Sequence, residues 1–191
     1  ALIDSGADEF MLETAMLKVW STDILWRIIN DTIQIYGGKG YFTDEPFERM
    51  MRDARINTIG EGANDVLRVF IALVGMKDVG LELKDVLDSL TNPLGNRRKI
   101  GSFASRRIGS LVTGPEVRTR SAELSDDAES LSQLVALLGS NVERLLRKYR
   151  EAVLDRQYEL GRIADAACEI YASSCVMSRL DRMLRDDKFD D

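Results

Sequence analysis

Histidine is absent from the 191 residues, and only two cysteines and three prolines occur. Without imidazole there are no His metal ligands, no His-based nucleophilic triads and no side chain that ordinarily shuttles protons near neutral pH. Any base here must be a carboxylate or an amine. If Cys168 and Cys175 share a helix, their seven-residue spacing puts them about 10 Å apart, beyond the roughly 7 Å reach of a disulfide. They match no CxxC metal motif, they are expected to pack as small apolar groups, and a reducing compartment suits them. No apolar run reaches the length of a transmembrane helix, and the opening ALIDSGADEF has neither an initiator Met nor signal-peptide architecture. A net basic face is also missing. The formal charge of −6 argues against nucleic acid as the main partner, because phosphate binding draws on clustered positive charge.

What is present is the composition of a globular protein: 45% of residues are apolar and 30% charged, enough to build one or two domains with a buried core. The apolar spacing is helical throughout and no strand alternation is evident, which predicts an all-α fold. From about Ala7 to Tyr36, apolar residues such as Met16, Val19, Ile29 and Ile33 cover most of a helical wheel and leave a narrow polar stripe that includes Asp23 and Arg27. A helix of that kind is expected to be buried on two or more sides. Gly37 and Gly38 then supply a C-terminal stop. Pro46 suits the first turn of a short helix reaching about Ala54. A third helix is expected from about Asp65, with Asn64 as its N-cap.

After about Asp88 the texture changes. TNPLGNRR carries Asn-Pro and Gly-Asn turn signals and reads as a boundary. From Arg97 to Val112, apolar Ile100, Phe103, Ile108 and Leu111 alternate with five basic residues and no acidic one. Such a segment is either a solvated linker or a basic amphipathic helix able to lie on an anionic bilayer. Two long amphipathic helices, about Ala122 to Arg150 and Arg156 to Arg185, then form an expected hairpin. The resulting layout is 1–88, a linker at 89–120, and a helical tail at 121–191.

The stretch RINTIGEGANDVLRVF sets Glu61 between two glycines just before an apolar helix. Glycine at 60 and 62 permits a tight loop that another molecule can approach closely. The helix end behind it favours anionic groups, including the ionised form of a carboxylate, whereas base work near neutral pH calls for a bound apolar ligand that strips water away. The alternative is a solvent-facing turn whose glutamate only complements the helix dipole. A second glycine group, QIYGGKGYF, fits neither phosphate-loop template, since no Lys-Ser or Lys-Thr follows and no third glycine completes G-x-G-x-x-G. Alone it is a helix stop.

Taken together, QIYGGKGYF, RDARI and EGAND in this order and spacing resemble the C-terminal catalytic domain of the acyl-CoA dehydrogenases. NPLGNRRK and the helical pair ending EIYASSCVMSRLDRMLR are similar to the extra C-terminal region of the very-long-chain branch. The resemblance implies that Glu61 is the base removing the α-proton of an acyl-CoA thioester, with FAD taking the β-hydride. It implies that Gly62 contacts substrate and that Ala63, Asn64 and Asp65 contact FAD. Gln34, Ile35, Tyr36, Gly37 and Gly38 would reach the FAD of a neighbouring subunit, which implies a homodimer. Electron-transfer flavoprotein would be the acceptor.

Two positions depart from the family pattern. Ala63 replaces a usual threonine, which removes a hydroxyl contact to the flavin, and Gly60 replaces a residue that is commonly aromatic. The resemblance also implies a fragment of a longer enzyme, inactive alone, whose other helices cover the apolar face of the first one. It places the enzyme in the cytoplasm of a bacterium, or in the mitochondrial matrix or at its inner membrane in a eukaryote. A second function class remains open: a helical interaction, assembly or membrane-docking module with vestigial chemistry, for which Arg97 to Val112 is the discriminating feature.

Overall fold

The computed structural model describes residues 4, 6, 8–90 and 114–186, without the side chains of 82, 83 and 85–90. The basic segment from Arg97 to Val112 lies outside the described residues. The elements are α1 (Met11–Tyr36), α2 (Gly38–Tyr41), α3 (Phe47–Asn57), α4 (Asn64–Leu90), α5 (Ser125–Tyr149) and α6 (Gln157–Arg185). Short 3-10 segments at Ala122–Leu124 and Arg150–Asp155 precede and follow α5. No strand occurs among the described residues, so the all-α expectation holds. The chain divides into two compact units, 1–72 with 157–171, and 73–156 with 172–191.

In the first unit, α1 starts at Met11, later than its apolar periodicity suggests. No side chain caps its first turn. It ends at Gly37, whose φ of 62° is open to glycine at little cost. Gly38 is no part of the stop and opens the one-turn α2 instead. The glycine of that turn answers to close packing: a Cβ on Gly40 would sit 2.9 Å from Tyr36 Cβ and 3.2 Å from the Ile33 backbone. Helix α3 runs back antiparallel to α1, since the Phe47 ring packs at a tilt against Tyr36 with ring centroids 4.5 Å apart and the Arg55 guanidinium lies over the Trp26 ring.

Helix α1 buries Ala15, Met16, Val19 and Ile29, whereas Leu17, Leu25, Ile28 and Ile35 are exposed. The expectation of burial on several sides is therefore met on one side only in this chain. The core of the unit is completed by Ala54, Ile71, Leu160, Ala164 and Cys168. Burial pushes the Cys168 thiol up to about 11, so it stays a protonated apolar filler, as read from the sequence. Cys175 differs: it is exposed.

In the second unit, α5 carries Asp126 and Asp127 in its first turn and Arg147 and Lys148 in its last, each sign at the dipole end it complements. The extended residues ahead of it are tied down by side chains. Val117 N–H donates to Ser132 Oγ at 2.9 Å. The backbone N–H groups of Arg120 and Ser121 both donate to Asp181 Oδ1, at 2.9 and 2.8 Å.

Leu160 is fully buried and Val176 is 63% exposed. Leu160→Ala is therefore expected to lower unfolding free energy by about 2–5 kcal/mol, and Val176→Ala by no more than about 0.5 kcal/mol, both measured by urea denaturation. The bonds from Ser121 and then Arg120 hold the Asp181 carboxyl below its ordinary value of 3.8. A depressed carboxyl contributes stability that is complete above that value and lost as pH falls through the lower folded one. The Arg120 and Ser121 amide proton shifts should accordingly titrate together, with a common midpoint below 3.8.

Candidate functional site

Helix α3 leads directly into the loop that carries Glu61. Its last turn closes with Gly60 N–H donating to Ile56 C=O at 2.8 Å, and the loop is spanned by Asn64 N–H donating to Thr58 C=O at 3.0 Å. Thr58 is buried; its hydroxyl donates to Arg55 C=O at 2.9 Å and accepts from Arg55 Nη1 at 2.8 Å. Between these ties the backbone turns left-handed twice, at Glu61 with φ 55° and at Gly62 with φ 92°. Glycine takes such angles freely, but glutamate does so at a cost of about 1–2 kcal/mol. The surroundings must therefore hold the loop in shape. Glu61 itself is exposed.

Much of that hold comes from Asn64, which is 4% exposed. Its Nδ2 donates to Thr22 Oγ1 at 2.9 Å and to Asp23 Oδ1 at 2.8 Å, and its Oδ1 accepts from Lys18 Nζ at 2.7 Å. The same ammonium donates to Gly62 C=O at 2.8 Å. Asn64 opens α4 as its first residue, but these side-chain bonds run to α1, so the expected N-cap role gives way to an inter-helix lock. One turn on, Arg68 pairs with Asp23 and, at 2.7 Å, with Asp165 of α6. Burial works against the Arg68 charge, yet the bonds to Asp165 and Asp23 outweigh it and raise its pKa. The charges alternate along the lock: Lys18, Asp23, Arg68, Asp165.

The residues singled out from the sequence fall in two places. Glu61, Gly62, Ala63, Asn64 and Asp65 gather beside the Lys18–Asp23 stretch of α1. Gln34, Ile35, Tyr36, Gly37 and Gly38 sit at the far end of that helix, eleven residues past Asp23 and hence about 16 Å along its axis. Ile35 is 84% exposed, and a Cβ on Gly37 or Gly38 would meet nothing within 4 Å. This end presents an open apolar and backbone surface. Asp65 is exposed and Ala63 partly so. Because both Asn64 amide donors are engaged, any cofactor contact from this residue falls to its backbone or its carbonyl oxygen.

Sequence periodicity missed Lys18, Thr22, Arg68 and Asp165. Lys18, Thr22 and Asp23 at spacings of four and five, on one flank of the helix, were the available signal.

Residues 1–75 match the family described as acyl-CoA dehydrogenase, C-terminal domain, and residues 122–189 match ACAD9/ACADV, C-terminal domain. The chain is 36% identical over 196 aligned positions to the very long-chain specific acyl-CoA dehydrogenase, mitochondrial, of Homo sapiens, covering 96% of this chain and 29% of that protein. The chain belongs to the acyl-CoA dehydrogenase family. A probable acyl-CoA dehydrogenase of Mycobacterium tuberculosis, FadE10, is 28% identical, with 95% of this chain and 31% of that protein covered. An acyl-CoA dehydrogenase crystal structure from Bacillus anthracis, complexed with FAD, shares the fold with a TM-score of 0.62 at 22% identity, over 90% of this chain and 27% of that one. The chain thus spans about three tenths of the length of these acyl-CoA dehydrogenases. The Glu61 loop and the Gln34–Gly38 stretch both lie inside the matched 1–75 region.

The left-handed angle at Glu61 gives a prediction of opposite sign to most loop mutations. Glu61→Gly should raise the unfolding free energy by about 1 kcal/mol, measured calorimetrically. A loss of stability would mean that the glutamate side chain makes a contact outweighing the backbone cost.

Proposed function

We propose that this chain supplies the catalytic base of a flavin-dependent acyl-CoA dehydrogenase acting on medium to very long acyl chains. The observation that carries the reading is the backbone at Glu61: a carboxylate kept in an unfavourable left-handed turn, on a loop fastened from beneath by a buried amide. Strain of this kind persists where geometry serves a function. Glu61 removes the α-proton of the thioester as the β-carbon gives up a hydride, leaving a trans-2-enoyl-CoA. FAD, when bound, supplies the hydride acceptor. The acyl chain excludes water from around Glu61, which favours proton uptake by the carboxylate.

Around that base the chain's own residues divide the work. Gly62, with no side chain, lets the thioester approach. Ala63, Asn64 and Asp65 hold the flavin of the same subunit, with Asn64 contributing through its backbone or carbonyl oxygen. Gln34 to Gly38 hold a flavin belonging to a second copy. The roughly 16 Å along α1 between the two groups and the open surface at Ile35, Gly37 and Gly38 support that assignment and, with it, a homodimer. Other parts of the enzyme cover Leu17, Leu25 and Ile28. The two family matches support a division into a catalytic portion at 1–88 and a tail at 121–191. Electrons leave the flavin to electron-transfer flavoprotein, in a bacterial cytoplasm or a mitochondrion.

The test is made on the flavin-loaded enzyme that carries this chain. Anaerobic palmitoyl-CoA should bleach the flavin absorbance, and Glu61→Gln should lower kcat by about 10³-fold, within the span of a lost general base, while the thioester still binds. Turnover surviving in Glu61→Gln would move the base elsewhere.

A further inference from the structure

We infer that Lys18 is a positioning residue for Glu61, an inference that rests on the reading of Glu61 as the base. Its ammonium makes two bonds into the loop segment, to Gly62 C=O at 2.8 Å and to Asn64 Oδ1 at 2.7 Å. Gly62 is the second of the two left-handed residues, so tethering its carbonyl fixes the peptide plane between Gly62 and Ala63, one unit past Glu61. Asn64 is the residue through which the loop is anchored to Thr22 and Asp23. Lys18 therefore ties both points on the C-terminal side of Glu61 to one helix, and Asn64 N–H on Thr58 C=O closes the loop behind them.

The choice of a lysine has a physical reason. Both acceptors are carbonyl oxygens, and an ammonium carries several donors at one point, whereas a neutral amide would have to divide two donors between partners set by its plane. Charged donors also make the stronger bonds, which suits a tether working against an unfavourable backbone angle. Without it, the Gly62 peptide is free to rotate and Glu61 can relax out of the left-handed region. A displacement of about 1 Å at a reacting group lowers turnover by about 10²-fold. Lys18 touches no reacting atom in this scheme, so its influence falls on kcat more than on KM.

The experiment compares Lys18→Met, Lys18→Arg and Glu61→Gln in the flavin-loaded enzyme, by steady-state kinetics and by hydrogen exchange of the peptide spanning 58–65, with 66–72 as internal reference. Lys18→Met is expected to speed exchange of the loop peptide about tenfold, leave the reference peptide unchanged and lower kcat about 10²-fold with KM within about threefold. Lys18→Arg should recover at least about a tenth of the lost turnover, because it restores a charged donor. Unchanged loop exchange and unchanged kcat in Lys18→Met overturn the inference. Faster loop exchange with full kcat, in an enzyme that Glu61→Gln still disables, also overturns it and leaves Lys18 a structural tie. If Glu61→Gln retains turnover, the base assignment is what has failed, and the positioning role of Lys18 fails with it, whatever the exchange rates.

Discussion

The buried amide of Asn64 is the point on which the candidate site depends. A primary amide withdrawn from water is costly unless its donors and acceptor are met. Here both N–H groups and the carbonyl oxygen find partners on a single helix, at Lys18, Thr22 and Asp23. Those partners stand at spacings that present them to one flank of α1, so the amide reads the register of that helix. The first turn of α4, and with it the end of the glycine loop, is thereby placed relative to α1 by directional bonds. Apolar packing alone would tolerate sliding.

Charge extends the same lock. Asp23 serves both Asn64 and Arg68, and Arg68 in turn reaches Asp165 on α6. A half-buried guanidinium with one carboxylate would leave much of its fork unmet. With two it can satisfy separate edges, which is a use to which arginine is better suited than lysine. Asp165 lies within 122–189, the part of the chain matching the ACAD9/ACADV C-terminal region, while Arg68 lies within the catalytic match. The first half of α6 is accordingly part of the unit that carries Glu61. A distinction of tail and catalytic portion by sequence family is therefore not a distinction by packing.

The glycines of the two motifs do different jobs. Gly62 supplies an angle, Gly37 ends a helix, and Gly40 lets α2 lie against the last turn of α1. None forms a phosphate cradle. Glu61 is the unexpected member, since it takes an angle that glycine would take more cheaply.

Composition and periodicity determined the all-helical fold, because apolar spacing near 3.6 is a local property that survives in any context. They also marked Gly37 as a stop, and the motif order carried the family. Residues distant in sequence were not legible: that Lys18 would meet Gly62, or Arg68 meet Asp165, follows from how helices pack and leaves no periodic trace. The N-cap reading of Asn64 went astray for the same reason. A local cap and a tertiary bond compete for the one side-chain oxygen, which the Lys18 ammonium takes, while the amide donors that a cap would leave unmet find Thr22 and Asp23 on the same helix. Which face of α1 is covered was likewise decided by the neighbours present, since an apolar wheel states what could be buried and only packing states what is.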